Sequence, residues 1–337
     1  MTPDFPDKPL SESAGRRLDR ATDRAYRLRA GETAGEGVRR VAHGRVDAAL
    51  EQLRREAKVD VAGAVHDARK DLKKLRSLLR LVRADLGKER YRAERSRYRD
   101  AARLLSGPRD AEVKLEALTG LRERYPDEAP AADGLQRALE DDRERIAGGQ
   151  AADLAQRLEQ AAETIAAGGA DIDAWELASI DFELFRAGLE RSYRRGRDDF
   201  RALGADPSDE AVHEWRKRVK DLWYQLRLLR PVWPAGMKAA IGAADELADL
   251  LGDHHDLALL IEDVSARASG GPGDDTLIGL ARRRQRELLE AAQPLAERLY
   301  AEKPKRFADR VAAYWEAWRS GSVADIDEDE LLRGFGT

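Results

Sequence analysis

The chain has 337 residues, of which 60 are Lys or Arg and 64 are Asp or Glu, so 37% of the residues are charged and the formal net charge is −4. This length allows one large domain or two ordinary ones. The absence of cysteine excludes disulfides, thiolate zinc sites, iron–sulfur clusters and a cysteine nucleophile. Because the N-terminus lacks the apolar segment of a secretory signal and no run of 18 apolar residues occurs, we expect a cytoplasmic protein without a membrane partner.

Residues 1–30 are predicted to be a polar, partly disordered leader, with a short helix over Gly15–Arg29. The chain then reads as about ten helical segments, because Ala, Leu, Arg and Glu dominate and no stretch alternates like a β-strand. Glycines and prolines predict the breaks between them, those at Gly87 and Gly252 included. Residues 321–337 are predicted to be an acidic, mobile tail.

An internal repeat divides the chain into two halves. Residues Ala64–Arg83 read AVHDARKDLKKLRSLLRLVR, and residues Ala211–Arg230 read AVHEWRKRVKDLWYQLRLLR, a shift of 147 positions. The first copy lies in a strongly basic region, since Ala64–Asp110 holds 15 Lys or Arg and only 7 Asp or Glu. Repetition of such a unit predicts two related helical bundles.

Each repeated helix places a basic stripe opposite an apolar face. On a wheel of 100° per residue, one sector of the first copy holds His66, Arg69, Lys70, Lys73, Ser77 and Arg80. The matching sector of the second copy holds His213, Arg216, Lys217, Lys220, Tyr224 and Arg227. A solvated outer face explains a single stripe, but two stripes at equivalent positions with few acids among them favour a shared positive groove. A polyanion would neutralise such a groove.

Two further basic groups flank the stripes. A sector of the next helix in the first half holds Lys88, Arg92, Arg95, Arg99 and Arg103. The corresponding part of the second half carries Asp245 and Asp249, which predicts a weaker positive potential there. A last cluster precedes the second repeat and consists of Arg191, Arg194, Arg195 and Arg197.

The two repeated helices resemble the signature helices of CHAD domains, the conserved-histidine α-helical domains. Supporting similarity lies in RLRAGETAGEGVRRV, ERSYRRGRDDFRAL and LGDHHDLALL. The resemblance implies an all-α fold of two tandem four-helix-bundle-like repeats, about 31–165 and 172–320, with pseudo-twofold symmetry around a basic central channel. The chain lacks the ExExK motif of a CYTH triphosphatase domain, so it resembles a stand-alone member.

The resemblance also implies a function: binding of inorganic polyphosphate, with phosphate or sulfate as mimics, and association with polyphosphate granules. No catalysis and no cofactor are expected. The residues implied to face the ligand are His66, Arg69, Lys70, Lys73, Arg80, Arg99, Arg103, His213, Arg216, Lys217, Lys220 and Arg227.

Two alternatives stay open at this point. A metal-dependent phosphohydrolase could use the His254-His255-Asp256 segment, although adjacent helical side chains point about 100° apart and cannot converge locally. Nucleic-acid binding is disfavoured, because the basic faces lack interleaved aromatic side chains for base stacking and only Tyr224 lies among them.

Overall fold

The structure is a computed structural model and describes residues 24–105, 109–128, 133–149, 151–267 and 272–321. These residues form eleven α-helices and contain no β-strand, which confirms the predicted all-α fold. Of the predicted leader helix, residues 24–29 are turns and irregular backbone, and the preceding residues lie outside the described ranges. The acidic tail after Gly321 also lies outside them.

Six of the helices belong to the first half and five to the second. The first half comprises α1 (Ala34–Arg54), α2 (Val61–Leu81), α3 (Arg83–Leu104), α4 (Arg109–Arg124), α5 (Asp133–Gly149) and α6 (Ala151–Ala170). The second comprises α7 (Glu183–Ala202), α8 (Asp209–Leu229), α9 (Pro234–Arg267), α10 (Pro272–Leu299) and α11 (Pro304–Arg319).

Two groups of helices share one main core. In the first half, α1 and α3 each pack against both α2 and α6; in the second, α8 packs against α7 and α9, and α9 packs against α10. Helix α2 also contacts α7 and α8, which joins the halves. A second apolar cluster lies where α4 and α5 meet the distal parts of α9 and α10, around Leu118, Leu139, Leu260 and Leu280.

Both repeated helices begin at a side-chain cap. Asp60 accepts a hydrogen bond from the backbone N–H of Gly63 at the start of α2, and Ser208 accepts one from Ala211 at the start of α8. Such caps satisfy N–H groups that have no partner within the helix. The apolar face of each helix then enters the core, so the basic face is turned away from it.

The two glycines at which breaks are predicted behave differently. Gly87 has φ +71°, which only glycine adopts without cost, and it kinks α3. The break predicted at Gly252 is wrong, because α9 continues through this residue. Its neighbours Leu247 and Leu251 are fully buried, and this packing outweighs the roughly 1 kcal/mol that an interior glycine costs a helix.

Candidate functional site

The repeated helices α2 and α8 touch directly. Ser77 Oγ donates a hydrogen bond to the carbonyl oxygen of Asp221 at 2.9 Å, and Gln225 Nε2 donates one to the carbonyl oxygen of Ser77 at 3.4 Å. An ion pair of 2.8 Å joins Arg80 Nη1 to Asp221 Oδ1 beside these contacts. On the helical wheel of α8, Asp221 lies outside the basic stripe, but the packing of α8 on α2 brings its carboxylate next to Arg80.

A group of cations from both helices surrounds Lys73. Partial desolvation lowers the pKa of Lys73 to about 8, and the charges of other cations add to this effect. We define the Lys73 cluster as Lys73 and the four cations that act on it: Arg69, Arg76, Arg216 and Lys220. Because two of these lie on α8, the stripes of the two repeats act on a common region.

Three members of the Lys73 cluster have no carboxylate partner in the described part of the chain. These are Lys73, Arg76 and Arg216, and the Nε atoms of both arginines are buried with no hydrogen-bond partner in the described part of the protein. Side-chain packing holds Arg216, whose guanidinium lies over Gly252 of α9. Cations predominate around these donors, although Asp221 also acts on Arg76 and Arg216 acts on Asp253.

The remaining two members are tied to nearby groups. Arg69 Nη1 donates a hydrogen bond to the carbonyl oxygen of Leu105 at 3.2 Å. Lys220 Nζ lies 3.4 Å from Asp249 Oδ1. The carboxylate of Asp249 is largely exposed, so it reduces the positive charge at this end of the cluster only in part.

Four other predicted ligand-facing residues form ion pairs within their own helices. Lys70 pairs with Asp67, and Lys217 pairs with Glu214, each acid lying three residues earlier. Asp100 forms ion pairs with both Arg99 and Arg103. These four cations are partly neutralised and remain accessible, and none of them is among the four that act on Lys73.

The aromatic residue of the basic face is Trp223, and the expectation that only Tyr224 lies there is wrong. Lys220 Nζ lies 4.7 Å and the Arg227 guanidinium 4.8 Å from the centre of the Trp223 ring. Tyr224 is buried against Tyr26, whose ring centre is 6.3 Å away. The segment before α1 therefore covers Tyr224, which the sequence of α8 alone does not reveal.

The two repeat histidines lie near the starts of their helices. His66 and His213 are half-buried, and each precedes its repeat lysine by seven residues, or about 10 Å along a helix axis. The imidazole of His213 packs on that of His255 with ring centres 4.0 Å apart. Desolvation, followed by neighbouring positive charge, lowers the pKa of His213 and brings that of His255 to about 4.

The structure separates the residues of the alternative metal motif. His255 packs against His213, whereas His254 is buried and its carbonyl oxygen accepts a hydrogen bond from Gln285. Within the described ranges, no group of three or more His, Cys, Asp or Glu side chains is placed to hold a metal ion. The sequence suggests a role for His255 only as a metal ligand, because its contact with His213 depends on the packing of α9 on α8.

None of the helices in the described residues combines the length and the apolar character needed to cross a membrane.

An all-α protein whose two homologous helices bring their basic faces together is thus a candidate binder of anions. A family model for the CHAD domain matches residues 44–265 of the chain, which includes both repeated helices. The protein belongs to the CHAD domain family, as the resemblance of its repeats predicts. Among curated proteins, no significant match was found.

Proposed function

We propose that this protein binds inorganic polyphosphate without catalysis, with the Lys73 cluster at the centre of the binding surface. The observation that carries the proposal is that five cations from α2 and α8 lie close together. They are Lys73 and the four other cations of the cluster, whose charges lower the pKa of Lys73. Membership of the CHAD family, which is associated with polyphosphate, supports the same ligand.

The electrostatics of the cluster favour a polyanion over a single carboxylate. Like charges on neighbouring helical positions repel one another, and three of the five cations lack a carboxylate partner in the described residues. Buried guanidinium donors without an acceptor are unfavourable by about 1–3 kcal/mol each. A chain of phosphates supplies one negative charge and several acceptor oxygens at each repeat, so it can neutralise all five cations together.

The flanking residues extend this surface along both helices. Arg80 lies near the end of α2, Arg99 and Arg103 lie on the neighbouring helix α3, and Arg227 lies near Trp223 in the second half. His66 and His213 contribute at the helix starts, where bound phosphate would raise their pKa and favour their protonated form. A long, linear ligand fits a surface of this extent better than a compact one does.

A direct binding measurement tests the proposal. We expect long-chain polyphosphate to bind the full chain, and the double variant Lys73→Glu, Lys220→Glu to bind at least about 100-fold more weakly, since two attractive contacts become repulsive. The circular dichroism spectrum of the variant should remain helical, because neither side chain is part of the core. Unchanged affinity would place the ligand elsewhere.

Competition separates this proposal from nucleic-acid binding. A single tryptophan between two cations offers one stacking position, whereas binding of single-stranded nucleic acid uses a series of them. We expect that single-stranded DNA or RNA, added at equal phosphate concentration, does not displace long-chain polyphosphate. Displacement, together with loss of nucleic-acid affinity in Trp223→Ala, would favour nucleic acid as the ligand.

Two further measurements address catalysis and location. Incubation with polyphosphate and Mg²⁺, Mn²⁺ or Zn²⁺ should release no phosphate, and metal-dependent release abolished by His255→Ala would show a phosphohydrolase instead. A fluorescent fusion should concentrate on polyphosphate granules and become diffuse in cells that lack polyphosphate. A fusion that is equally diffuse in both cells would contradict recruitment to granules.

A further inference from the structure

A second group of arginines lines a small pocket where α2, α3, α7 and α8 meet. The pocket has about 30 Å³ of space for solvent, enough for about two water molecules. Its lining includes Tyr91, Ser192 and Asp221, together with five arginines: Arg80, Arg83, Arg191, Arg195 and Arg218. A space of this size excludes a nucleobase, and its arginine lining suits the oxygens of a single phosphate group.

Close packing between two helices brings these arginines together. A Cβ added at Gly188 of α7 would lie only 1.8 Å from the carbonyl oxygen of Leu81, at the end of α2. Glycine therefore permits α7 to approach the junction of α2 and α3. Arg191 and Arg195 follow Gly188 by three and seven residues, on the same side of α7, so they face the α2–α3 junction.

The charges in the pocket are not balanced. Asp221 pairs with Arg80 at 2.8 Å, and Arg218 pairs with acids outside the pocket lining, Asp199 at 3.2 Å and Glu214 at 3.3 Å. Stacking holds Arg83, whose guanidinium lies 4.8 Å from the centre of the Tyr91 ring. In the described part of the chain, Arg191 and Arg195, like Arg83, have no carboxylate partner. Guanidinium groups recognise the oxygens of phosphate through paired hydrogen bonds.

The pocket lies at one end of the basic surface rather than beside it. Arg80 lines the pocket, and its charge also acts on Arg76 of the Lys73 cluster, one turn earlier on α2. A ligand that follows α2 therefore reaches the pocket where α7 packs against Leu81 at the end of that helix. The small size of the pocket suits a single group, such as the end of a ligand provides.

We propose that this pocket holds the terminal phosphate of a phosphate chain, an inference that rests on the proposed function for the remainder of the ligand. An inner phosphate carries one negative charge, whereas a terminal phosphate has a second ionisable oxygen with a pKa near 6 and is mostly a dianion at pH 7. Five arginines line the pocket, and three of them, Arg83, Arg191 and Arg195, have no carboxylate partner in the described part of the chain, which favours this dianion. The protein then distinguishes chain ends from chain interiors.

Pyrophosphate is the probe that tests the pocket, because both of its phosphates are terminal. We expect pyrophosphate to bind the full-length protein in isothermal titration calorimetry. Loss of two charge-assisted contacts in the double variant Arg191→Ala, Arg195→Ala should weaken this binding at least about tenfold. The matched control is Arg194→Ala, on the same helix, whose side chain is exposed and pairs with Glu190; it should bind as the unmodified protein does.

The Lys73→Ala variant separates the pocket from the Lys73 cluster. It should change pyrophosphate affinity less than about twofold, while weakening long-chain polyphosphate clearly, since only a long chain covers the cluster. No pyrophosphate binding, no effect of the Arg191→Ala, Arg195→Ala variant, or an equal effect of Lys73→Ala would each overturn the inference. A thermal unfolding curve of each variant verifies that it is folded.

Failure of the proposed function gives a different pattern. If long-chain polyphosphate does not bind, but pyrophosphate binds and depends on Arg191 and Arg195, the pocket remains a phosphate site and the proposed function is wrong. If long chains bind through Lys73 and pyrophosphate does not bind, the proposed function stands and the inference about chain ends is wrong.

Discussion

Replacing two cations of the Lys73 cluster by neutral residues should change how polyphosphate affinity depends on salt. We choose the double variant Lys73→Gln, Arg216→Gln, because these side chains come from different repeats and neither has a carboxylate partner in the described residues. Glutamine preserves polarity and removes the charge. The change therefore tests the electrostatic term without reversing its sign.

The expected magnitude follows from the number of cations. With about 0.7 counterions released per neutralised charge of a flexible polyanion, five cations predict a slope of about −3.5 in a plot of log K against log salt concentration. A rise from 50 to 200 mM salt then lowers affinity about 100-fold in the unmodified protein. With three cations left, the slope is about −2.1 and the same rise lowers affinity about 20-fold.

Fluorescence anisotropy of end-labelled, long-chain polyphosphate at four salt concentrations provides the measurement. The matched control is Lys58→Gln, Lys305→Gln, which removes the same charge from two exposed positions outside α2 and α8. Its slope should equal that of the unmodified protein. Equal slopes for all three proteins would refute the argument that the Lys73 cluster neutralises the ligand, whatever the absolute affinities are.

Three further predictions follow from particular contacts. Because the pKa of Lys73 is lowered to about 8 and a polyanion favours the charged form of this lysine, polyphosphate affinity should fall as pH rises from 7 to 9. Binding should also take up protons, which calorimetry in buffers of different ionisation enthalpy detects. The Lys73→Arg variant should lose this proton uptake, and uptake that persists would assign it to another group. The Gly188→Ala variant should have a free energy of unfolding in urea about 1–3 kcal/mol lower, because the added Cβ meets a backbone carbonyl. The control Gly242→Ala places its Cβ in open space and should raise this free energy by up to about 1 kcal/mol. Equal stability of the two variants would contradict the close approach of α7 to α2. The Asp71→Ala variant should lose about 3–5 kcal/mol of unfolding free energy in the same assay, because it leaves the buried Arg45 without its ion-pair partner. The Asp67→Ala variant should lose at most about 1 kcal/mol, because its ion pair is exposed. Similar losses in the two variants would show that burial of the Asp71 pair is unimportant.

Residue spacing predicts the all-α fold class of this protein, because helical periodicity is a local property. The apolar faces of α2 and α8 and the basic stripes opposite them follow from positions within one or two turns of each other. Where a longer-range contact competes with a local signal, the prediction fails. Gly252 is such a case, since burial of α9 keeps it helical.

The same distinction holds for the candidate site. The stripe identifies Lys73 and Lys220 as basic positions, but it does not distinguish them from Lys70 and Lys217, which form ion pairs within their own helices. Arg76 was missed because it lies beside the stripe on the helical wheel; its place seven residues after Arg69 is the signal that could have found it. The contact of His255 with His213 had no such signal, because it joins two helices.

Helix content, the internal repeat and the basic stripes of two matching helices can be read from the amino-acid order, because they depend on composition and on intervals of three, four or seven residues. Which of the charges meet depends on how the helices pack. Packing of α2 on α8 makes Lys73 and Arg216 neighbours, and the close approach of α7 at Gly188 adds Arg191 and Arg195 to the end of the same surface. Electrostatic interaction depends on distance in space, and distance in space between residues far apart in the chain is set by packing.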